Sequence, residues 1–572
     1  MKRSTYIWSL LVGCVAFATS CDLTENVQVK ADKSMIFGSK SGLELYSNSF
    51  YKALPTLKNG FMQDKMCDVG AVSNTDTFIK RGAYNTETAT SWSWGALKNV
   101  NYFIDGCNDP KYCTVEAETR DNYLGIARWF RAWFYYDKLT TYGEVPWFPN
   151  DIQSYQNDVM YKDRDSRDVI IRNLIADLDF AYEHIQATSS TGSSTLTRWA
   201  AAALKSRVCL FEAAYRRYHN LTGLEITPEE LYREAAKAAK LVIDNSGCSL
   251  NTAAGKKGAY RDLFYSETPL TQEVILAVCA NEKSGIFGEQ NWWFNARSYG
   301  LCWSLVRSFV HTYLKQDGTP FTAAADYAVK SFAEEMEGRD LRLEQTVRGR
   351  NFLWDGKTAV ADIKNLSLTG YQVIKYTLDE SKYDGGAKNI NSIPLIRYAE
   401  VLLNYAEAQA ELGVITDSEW ALTVGALRKR AGITGGTETL PTTVDSYLQR
   451  TFYPDVTSPV LLEIRRERAI ELVAEGMRFD DLRRWKCGSL METLPWSGIH
   501  IPGLEQPVDV NGDGVNDYYF TEGEVASAPA AYKNIAVRVN QDGVGLYAEA
   551  NPVSGYDLVY KTGAGDRYWY PD

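Results

Sequence analysis

No stretch constrains this chain more than residues 461–488, LLEIRRERAIELVAEGMRFDDLRRWKCG. Leu462, Ala469, Val473 and Met477 recur at helical spacing and form one apolar stripe. Glu463 with Arg466, Arg468 with Glu471, Glu475 with Arg478, and Asp480 with Arg484 stand three or four residues apart, the spacing at which side chains meet on a helix surface. Such pairs add only about 0.2–0.5 kcal/mol each, too little to account for so many arginines. Guanidinium groups are favoured where a planar, two-pronged bond to a carboxylate holds segments together. The spacing predicts a helix that ties several parts of the chain to itself. The plainer reading is a solvated helix laced with surface salt bridges. Neither is catalytic.

What surrounds that helix is globular in balance: 572 residues, 45% hydrophobic and 23% charged. Aromatics are numerous, with 36 Tyr and 15 Trp; such side chains suit a packed core and also offer flat faces with a polar edge. The formal charge of -11 and the lack of a strongly basic tract argue against a nucleic-acid partner. The cysteines show no CxxC and no regular zinc spacing. Cys107 and Cys113 are close enough to pair in an exported protein, although spacing does not decide it; Cys209 reads as a small buried residue in a helical pattern.

The N-terminus begins with Lys2 and Arg3, a short apolar run from Tyr6 to Phe17, and Ala18-Thr19-Ser20-Cys21. This pattern predicts a signal peptide over 1–20 with a lipobox, cleavage before Cys21 and lipidation of that residue. The alternative is a plain secretory signal with an incidental cysteine. Several acyl chains on one residue anchor stably where one does not. Residues 21–40 read as a polar tether and 41–572 as a single domain.

Within that domain, 122–139 and 167–185 read as amphipathic helices. Residues 197–218 and 231–243 carry alternating small and large residues, introduced by Thr227-Pro228-Glu229-Glu230, a helix-start signature. They look like a tetratricopeptide unit. A second copy falls at 393–412 and 420–431, so the helical repeats occupy about 122–245 and 393–431. Between them 251–392 reads as a loop-rich insertion, with strand-like runs at 272–280, 340–347 and 371–376 and a helical run at 302–315. Residues 489–572 are irregular.

Three constellations carry chemistry. Residues 59–90 are rich in Gly, Asn, Asp and Thr, punctuated by Asp68, Arg81 and Tyr84 and followed by Trp92; long ordered loops are often binding elements. Asn291, Trp292, Trp293 and Tyr299 sit in a second polar, Gly-bearing stretch. An indole stacks on the C–H face of a pyranose while amides and acids bind its hydroxyls, the mixed lining of a ligand site; each of these aromatics also has a core alternative. Asp509, Asn511, Asp513, Gly514 and Asp517 occupy calcium-loop positions, with Val515 offering a carbonyl. Phe520 stands where the bidentate Glu belongs, and the competing reading is a hairpin turn needing no ion. No other cofactor is required.

The segment IELVAEGMR, Ile470 to Arg478, with Asp481-Leu482-Arg483-Arg484-Trp485, resembles the C-terminal signature of the SusD/RagB family. The helix before Gly143-Glu144-Val145-Pro146 and the run RYAEVLLNYAEAQ from Arg397 are similar to that family as well. The resemblance implies a mainly α fold, with tetratricopeptide-like helix pairs as scaffold, a loop-rich ligand-binding half and a few short strands. It implies a lipid-anchored protein on the outer membrane facing outward. Such a protein captures oligosaccharide or polysaccharide and hands it to a SusC-like TonB-dependent transporter, the membrane being met through the lipid only. In the family, sugar contacts come from an N-terminal loop and a loop near the chain middle, regions that match Asp68 to Trp92 and Asn291 to Tyr299 here. Some members take peptides instead.

Enzyme signatures are missing from the text. The four histidines, His184, His219, His311 and His500, form no HExxH, and there is no GxSxG or P-loop. A glycosidase-like carboxylate pair remains the enzyme alternative, since its members need not be near in sequence.

Overall fold

The computed structural model of the protein describes residues 33–62, 64, 67–73, 75, 79, 92–296, 300–563 and 567. The signal segment, Cys21, most of the tether, Arg81, Tyr84 and Tyr299 lie outside them. The longer helices of the first half are α1 (Lys40–Ser47), α2 (Gly95–Asn108), α3 (Ala117–Tyr142), α4 (Arg167–His184), α5 (Arg198–Tyr218) and α6 (Pro228–Asn245). The chain continues through α7 (Gln290–Asn295), α8 (Phe332–Met336), α9 (Tyr398–Glu411), α10 (Val424–Arg430), α11 (Pro459–Glu471) and α12 (Arg478–Arg484). Among the described residues no helix is long and apolar enough to cross a membrane.

Local chemistry sets the helix starts. Thr227 and Glu230 form a reciprocal capping box with Pro228 in the first turn of α6, satisfying amides that a helix end leaves open. The buried alanines 200–203 of α5 and 235, 236, 238 and 239 of α6 let the two axes approach closely. Helix α3 packs on α4, α4 on α5, α5 on α6, α6 on α9, and α9 on α11. The row is therefore continuous in space although 251–392 is inserted between α6 and α9: the insertion loops out and returns, and does not break the stack. The largest hydrophobic core among the described residues runs from Phe37 to Leu558, with two small clusters beside it.

Several local expectations are corrected. The stretch 461–488 is two helices, α11 and α12, because Ala474 (φ 69°) and Gly476 (φ 82°) take left-handed conformations between them. That break turns the amides of Gly476 and Arg478 onto Asp64. Of the four surface pairs expected at helical spacing, only Glu463 with Arg466 forms, at 3.4 Å. Residues 393–397 are a strand and not a first helical turn. Residues 342–346 are a helix and not a strand, and 302–315 contains only one helical turn, 307–310. The helix expected over 420–431 breaks at Thr423 (ψ −93°). All eight described cysteines, Cys107 and Cys113 included, are free.

Strands are short. β1 (Gly70–Ala71) pairs with β3 (Ser304–Leu305), and β2 (Val274–Val278) with β6 (Ile393–Arg397), both antiparallel. β4 (Leu353–Trp354) and β5 (Lys357–Thr358) make a hairpin. The tail, irregular in sequence, folds into two three-stranded sheets. One is β7 (Ser497–Ile501), β12 (Tyr556–Lys561) and β11 (Gly545–Ala550); the other is β8 (Pro507–Val508), β9 (Tyr518–Thr521) and β10 (Ala536–Arg538), with β9 and β10 parallel.

The tying role of 461–488 is realised inside the molecule, not on its surface. Glu471 accepts from Arg342 at 2.7 Å, from Arg397 at 2.6 Å, and from Arg430. Arg397 also reaches Glu475 and Glu273, Arg342 reaches Asp340 and Glu467, Arg468 reaches Asp481, and Arg484 reaches Glu407 at 2.7 Å. Burial pushes the Glu471 carboxyl up, but Arg430, Arg397 and Arg342 outweigh it and hold it well below the usual range. Buried ions cost several kcal/mol each unless matched, so the knot specifies which segments meet as much as it stabilises them.

Candidate site: an aromatic helix beside a short sheet

The two irregular stretches of the sequence meet in space. The pairing of β1 with β3 sets Gly70 opposite Leu305 and Ala71 opposite Ser304. Beyond it Ser73 donates its amide to the Leu301 carbonyl at 2.9 Å and its hydroxyl to the Gly300 carbonyl at 3.1 Å. Glycine is required at 70: a β-carbon there would lie 2.1 Å from the indole nitrogen of Trp303, which is itself buried and stacked on Phe294. Residues 70–73 and the segment that follows α7, 300–305, are thereby held side by side.

Helix α7 is pinned from beneath. Asn291 is 0% exposed. Its side-chain amide donates to the Leu378 carbonyl at 2.7 Å and its oxygen accepts from the Leu378 amide at 2.8 Å and from Asn389 at 2.7 Å. Asn389 in turn accepts from the Asn291 amide. Asn291, expected to touch ligand, is thus corrected to a fastening residue: its hydrogen-bonding capacity is spent inside the protein. Asp68 is corrected in the same way. It is 2% exposed and both its oxygens are taken by Arg478, at 2.8 and 2.6 Å.

Trp292 and Trp293 stand on the pinned helix, both half-buried, with ring centroids 4.8 Å apart and planes at 79°. The Trp293 indole donates to Glu289 at 3.3 Å, and Glu289 pairs with Lys58 at 2.9 Å. Asn295, at the end of α7, donates to Asp384 at 3.0 Å and accepts from Gln372 at 3.3 Å. Asp384 is half-buried; burial raises its carboxyl above the usual range, with Asn295 and Asn291 pulling it partly back.

Gln372 accepts at its backbone carbonyl from the amide of Arg348. The Arg348 guanidinium lies over the rings of Phe352 and Trp354, at 5.1 and 5.2 Å. It is 7% exposed, yet among the described residues it makes one side-chain hydrogen bond, to the Val360 carbonyl at 3.2 Å, and its Nε is buried without a partner. Burial lowers its pKa, with Asp362 and Asp384 working the other way. Arg348, Trp354, Asn295, Gln372 and Asp384 were not foreseen. They come from four separate segments that only the fold assembles, although Trp354 beside Asp355-Gly356 carried the same signal of an aromatic in turn-forming text.

Trp92 is 43% exposed at the entrance to α2. It meets Trp94 edge-on at 5.1 Å and Tyr142 at 4.9 Å, with Arg164 over its ring at 5.7 Å. Arg81, Tyr84 and Tyr299, also expected at the site, lie outside the described residues.

The loop at 509–517 is closed on itself. Asp509 accepts the amides of Gly512 and Gly514, both at 2.7 Å, Asp513 that of Val515, and Asp517 that of Val510. Among the described residues no three His, Cys, Asp or Glu side chains are grouped to hold a metal. Asp509, Asn511, Asp513, Val515 and Asp517, the expected calcium positions, thus stand in a turn whose acids accept its own amides, bonds that leave carboxylate lone pairs over.

The chain matches the model of the SusD family over residues 272–567. Among solved structures it is similar to a SusD-like carbohydrate-binding protein from Bacteroides fragilis NCTC 9343, at 18% identity and a TM-score of 0.66, covering 94% of this chain and 97% of that one. It is similar to a SusD homolog from Bacteroides thetaiotaomicron VPI-5482, at 17% identity and a TM-score of 0.56, over 81% and 89% of the two chains. A protein solved with xylogluco-oligosaccharide aligns at 18% identity and a TM-score of 0.51, over 78% and 83%. At such identities the likeness is one of fold. Curated proteins give no match.

Proposed function

The chain belongs to the SusD family, and from that premise we propose that it captures oligosaccharide at the cell surface, by binding and not by catalysis. The observation that carries the reading is the pairing of exposed or half-buried indoles with hydrogen-bonding groups that the protein leaves short of partners. Trp292 and Trp293 stand on a helix fastened by Asn291. Asn295 ends that helix and donates to Asp384, Gln372 links Asn295 to the Arg348 backbone, and the under-bonded Arg348 guanidinium lies over a further ring, Trp354. Rings stack on sugar C–H faces, while an acid, an amide and a guanidinium offer acceptors and donors to hydroxyls. Two of the similar structures point the same way, one named as carbohydrate-binding and one solved with xylogluco-oligosaccharide.

Cys21 is the proposed lipid attachment, placing the protein on the outer membrane facing outward with 21–40 as tether and 41–572 as one domain. A TonB-dependent transporter is the proposed recipient of the ligand, its contact surface the row of helices from α3 to α6.

Calorimetry on residues 22–572 against a panel of plant, microbial and host oligosaccharides tests the reading. Saturable binding to one glycan class is expected, weakened at least tenfold in Trp292→Ala/Trp293→Ala and in Arg348→Ala with melting temperature retained. Binding untouched by either variant would remove the site assignment. Binding of peptides and of no glycan would replace the ligand class.

A further inference from the structure

None of the residues lining a second concavity belongs to the aromatic site. It is a cleft of ≈ 390 Å³ walled by the segment leading into α8, strands β7 and β8, and the turn before β12. Phe332, Ile499 and Val508 give it an apolar wall, and Glu334, His500 and Asp509 are its ionisable groups; no lysine or arginine lines it. A cleft of this size is in the range that holds a small molecule.

The polar groups share one character. His500 is 8% exposed, and its Nδ1 lies 3.0 Å from Asp557 Oδ1. Asp557 also accepts from Arg307 at 2.6 Å and from Asn551 at 2.9 Å. Burial raises its carboxyl, but His500 and Arg307 hold it below the usual range. A carboxylate only accepts, so the proton between the two belongs to Nδ1, and in the neutral imidazole Nε2 then carries the lone pair. Nε2 has no hydrogen-bond partner among the described residues. Gly555 keeps this ring edge clear, since a β-carbon there would come within 2.8 Å of Nε2.

Glu334 presents a second acceptor. Its Oε2 takes the Ser331 amide and hydroxyl, both at 2.8 Å, in the cap of α8. Those two bonds hold its carboxyl below the usual range, and Oε1 makes no hydrogen bond among the described residues. Asp509 adds negative charge at the wall, its oxygens turned to its own loop amides. Acceptors and negative charge without a basic side chain select a ligand that brings donors and a positive charge.

We infer that this cleft binds the protonated primary amine of a small ligand, with Glu334 Oε1 and His500 Nε2 as its acceptors and Phe332, Ile499 and Val508 against its body. An ammonium supplies three donors and the compensating charge. An amino sugar and a lysine or N-terminal amine of a peptide share this chemistry.

Calorimetry separates them. The soluble chain is titrated with the β-1,4-linked disaccharide of glucosamine and with a lysine-containing tripeptide, each beside its N-acetylated counterpart. Glu334→Gln keeps the cap acceptor and removes the charge; His500→Gln keeps a donor toward Asp557 and removes the Nε2 lone pair. Saturable binding of an amine probe is expected, weakened at least tenfold by acetylation and by each substitution, with melting temperatures retained. Which amine binds identifies the source. Binding of neither amine, equal binding of the acetylated probes, or full affinity in Glu334→Gln would overturn the assignment, and none of these outcomes bears on the aromatic site.

Discussion

The knot around Glu471 and the surface around Trp292 use the same residue types to opposite ends. In the knot, Arg342, Arg397, Arg430, Glu467, Glu471 and Glu475 are buried or nearly so, and each carboxylate is met by guanidinium groups. At the aromatic site, Arg348 is almost as buried as its counterparts but makes a single side-chain hydrogen bond among the described residues, and Asp384 answers to amides alone. Dense matching, with Arg430 Nε left over among these groups, builds architecture; sparse matching beside exposed rings leaves capacity for something from outside. The contrast also explains why Asp68 and Asn291, polar residues in loop-like text, belong with the first region.

Substitutions can break this contrast. Glu471→Ala takes a shared carboxylate from three buried guanidinium groups, and removing one partner of a buried pair costs about 3–5 kcal/mol; urea denaturation should show that loss or a failure to fold, with a loss below about 1 kcal/mol speaking against a structural knot. Acid should act next. Glu335 accepts from Arg307 and His311 at 2.9 Å and from Tyr371. Burial raises its carboxyl, but these partners bring it down from 4.5 to about 2. A depressed folded value means stability held above pH 4.5 and lost as pH falls towards 2. Denaturation midpoints across that window should drop, and Glu335→Gln should flatten the slope; an unchanged slope would deny the group its role.

Asn291→Ala leaves the Leu378 amide and carbonyl unmet, at about 1–3 kcal/mol. It should weaken glycan binding through the displaced α7, so affinity and stability fall together. The smallest effect on stability is expected for Trp92→Ala, under about 1 kcal/mol for a ring that makes edge contacts at the surface. There affinity alone should fall, by calorimetry. A Trp92 variant that melts early would move that residue to the architectural side of the comparison.

The helical row was largely legible in the sequence because a period near four and strong caps are local signals: Thr227 through Glu230 announces α6 without reference to anything else. The break at Ala474–Gly476 was not, since the charge pattern runs on as if helical and the reason to stop is Asp64, far away in the chain. The same holds for the site. Trp292 and Trp293 stood out as aromatics in polar text, whereas Arg348 and Asp384 gain meaning only from neighbours on other segments. Nor could a single Asn reveal that its amide would be spent on Leu378 and Asn389. Asp509 to Asp517 shows how one spacing serves two chemistries: acids spaced for an ion are also spaced to accept their own loop's amides.

Asp64 and Asp68 fasten the first part of the chain to Gly476 and Arg478, contacts that span 410 to 414 residues. A chain that emerges in order, from ribosome or translocon, cannot close them until most of its length has appeared. Contacts this remote in sequence are slow to form and pay their loop-closure entropy early. Early segments must therefore wait, partly unsatisfied, for late ones. Truncation anywhere before residue 478 should then yield an aggregation-prone fragment with no smaller native protein inside it, and the Arg-rich segment serves as the latch by which the last-made part of the chain secures the first.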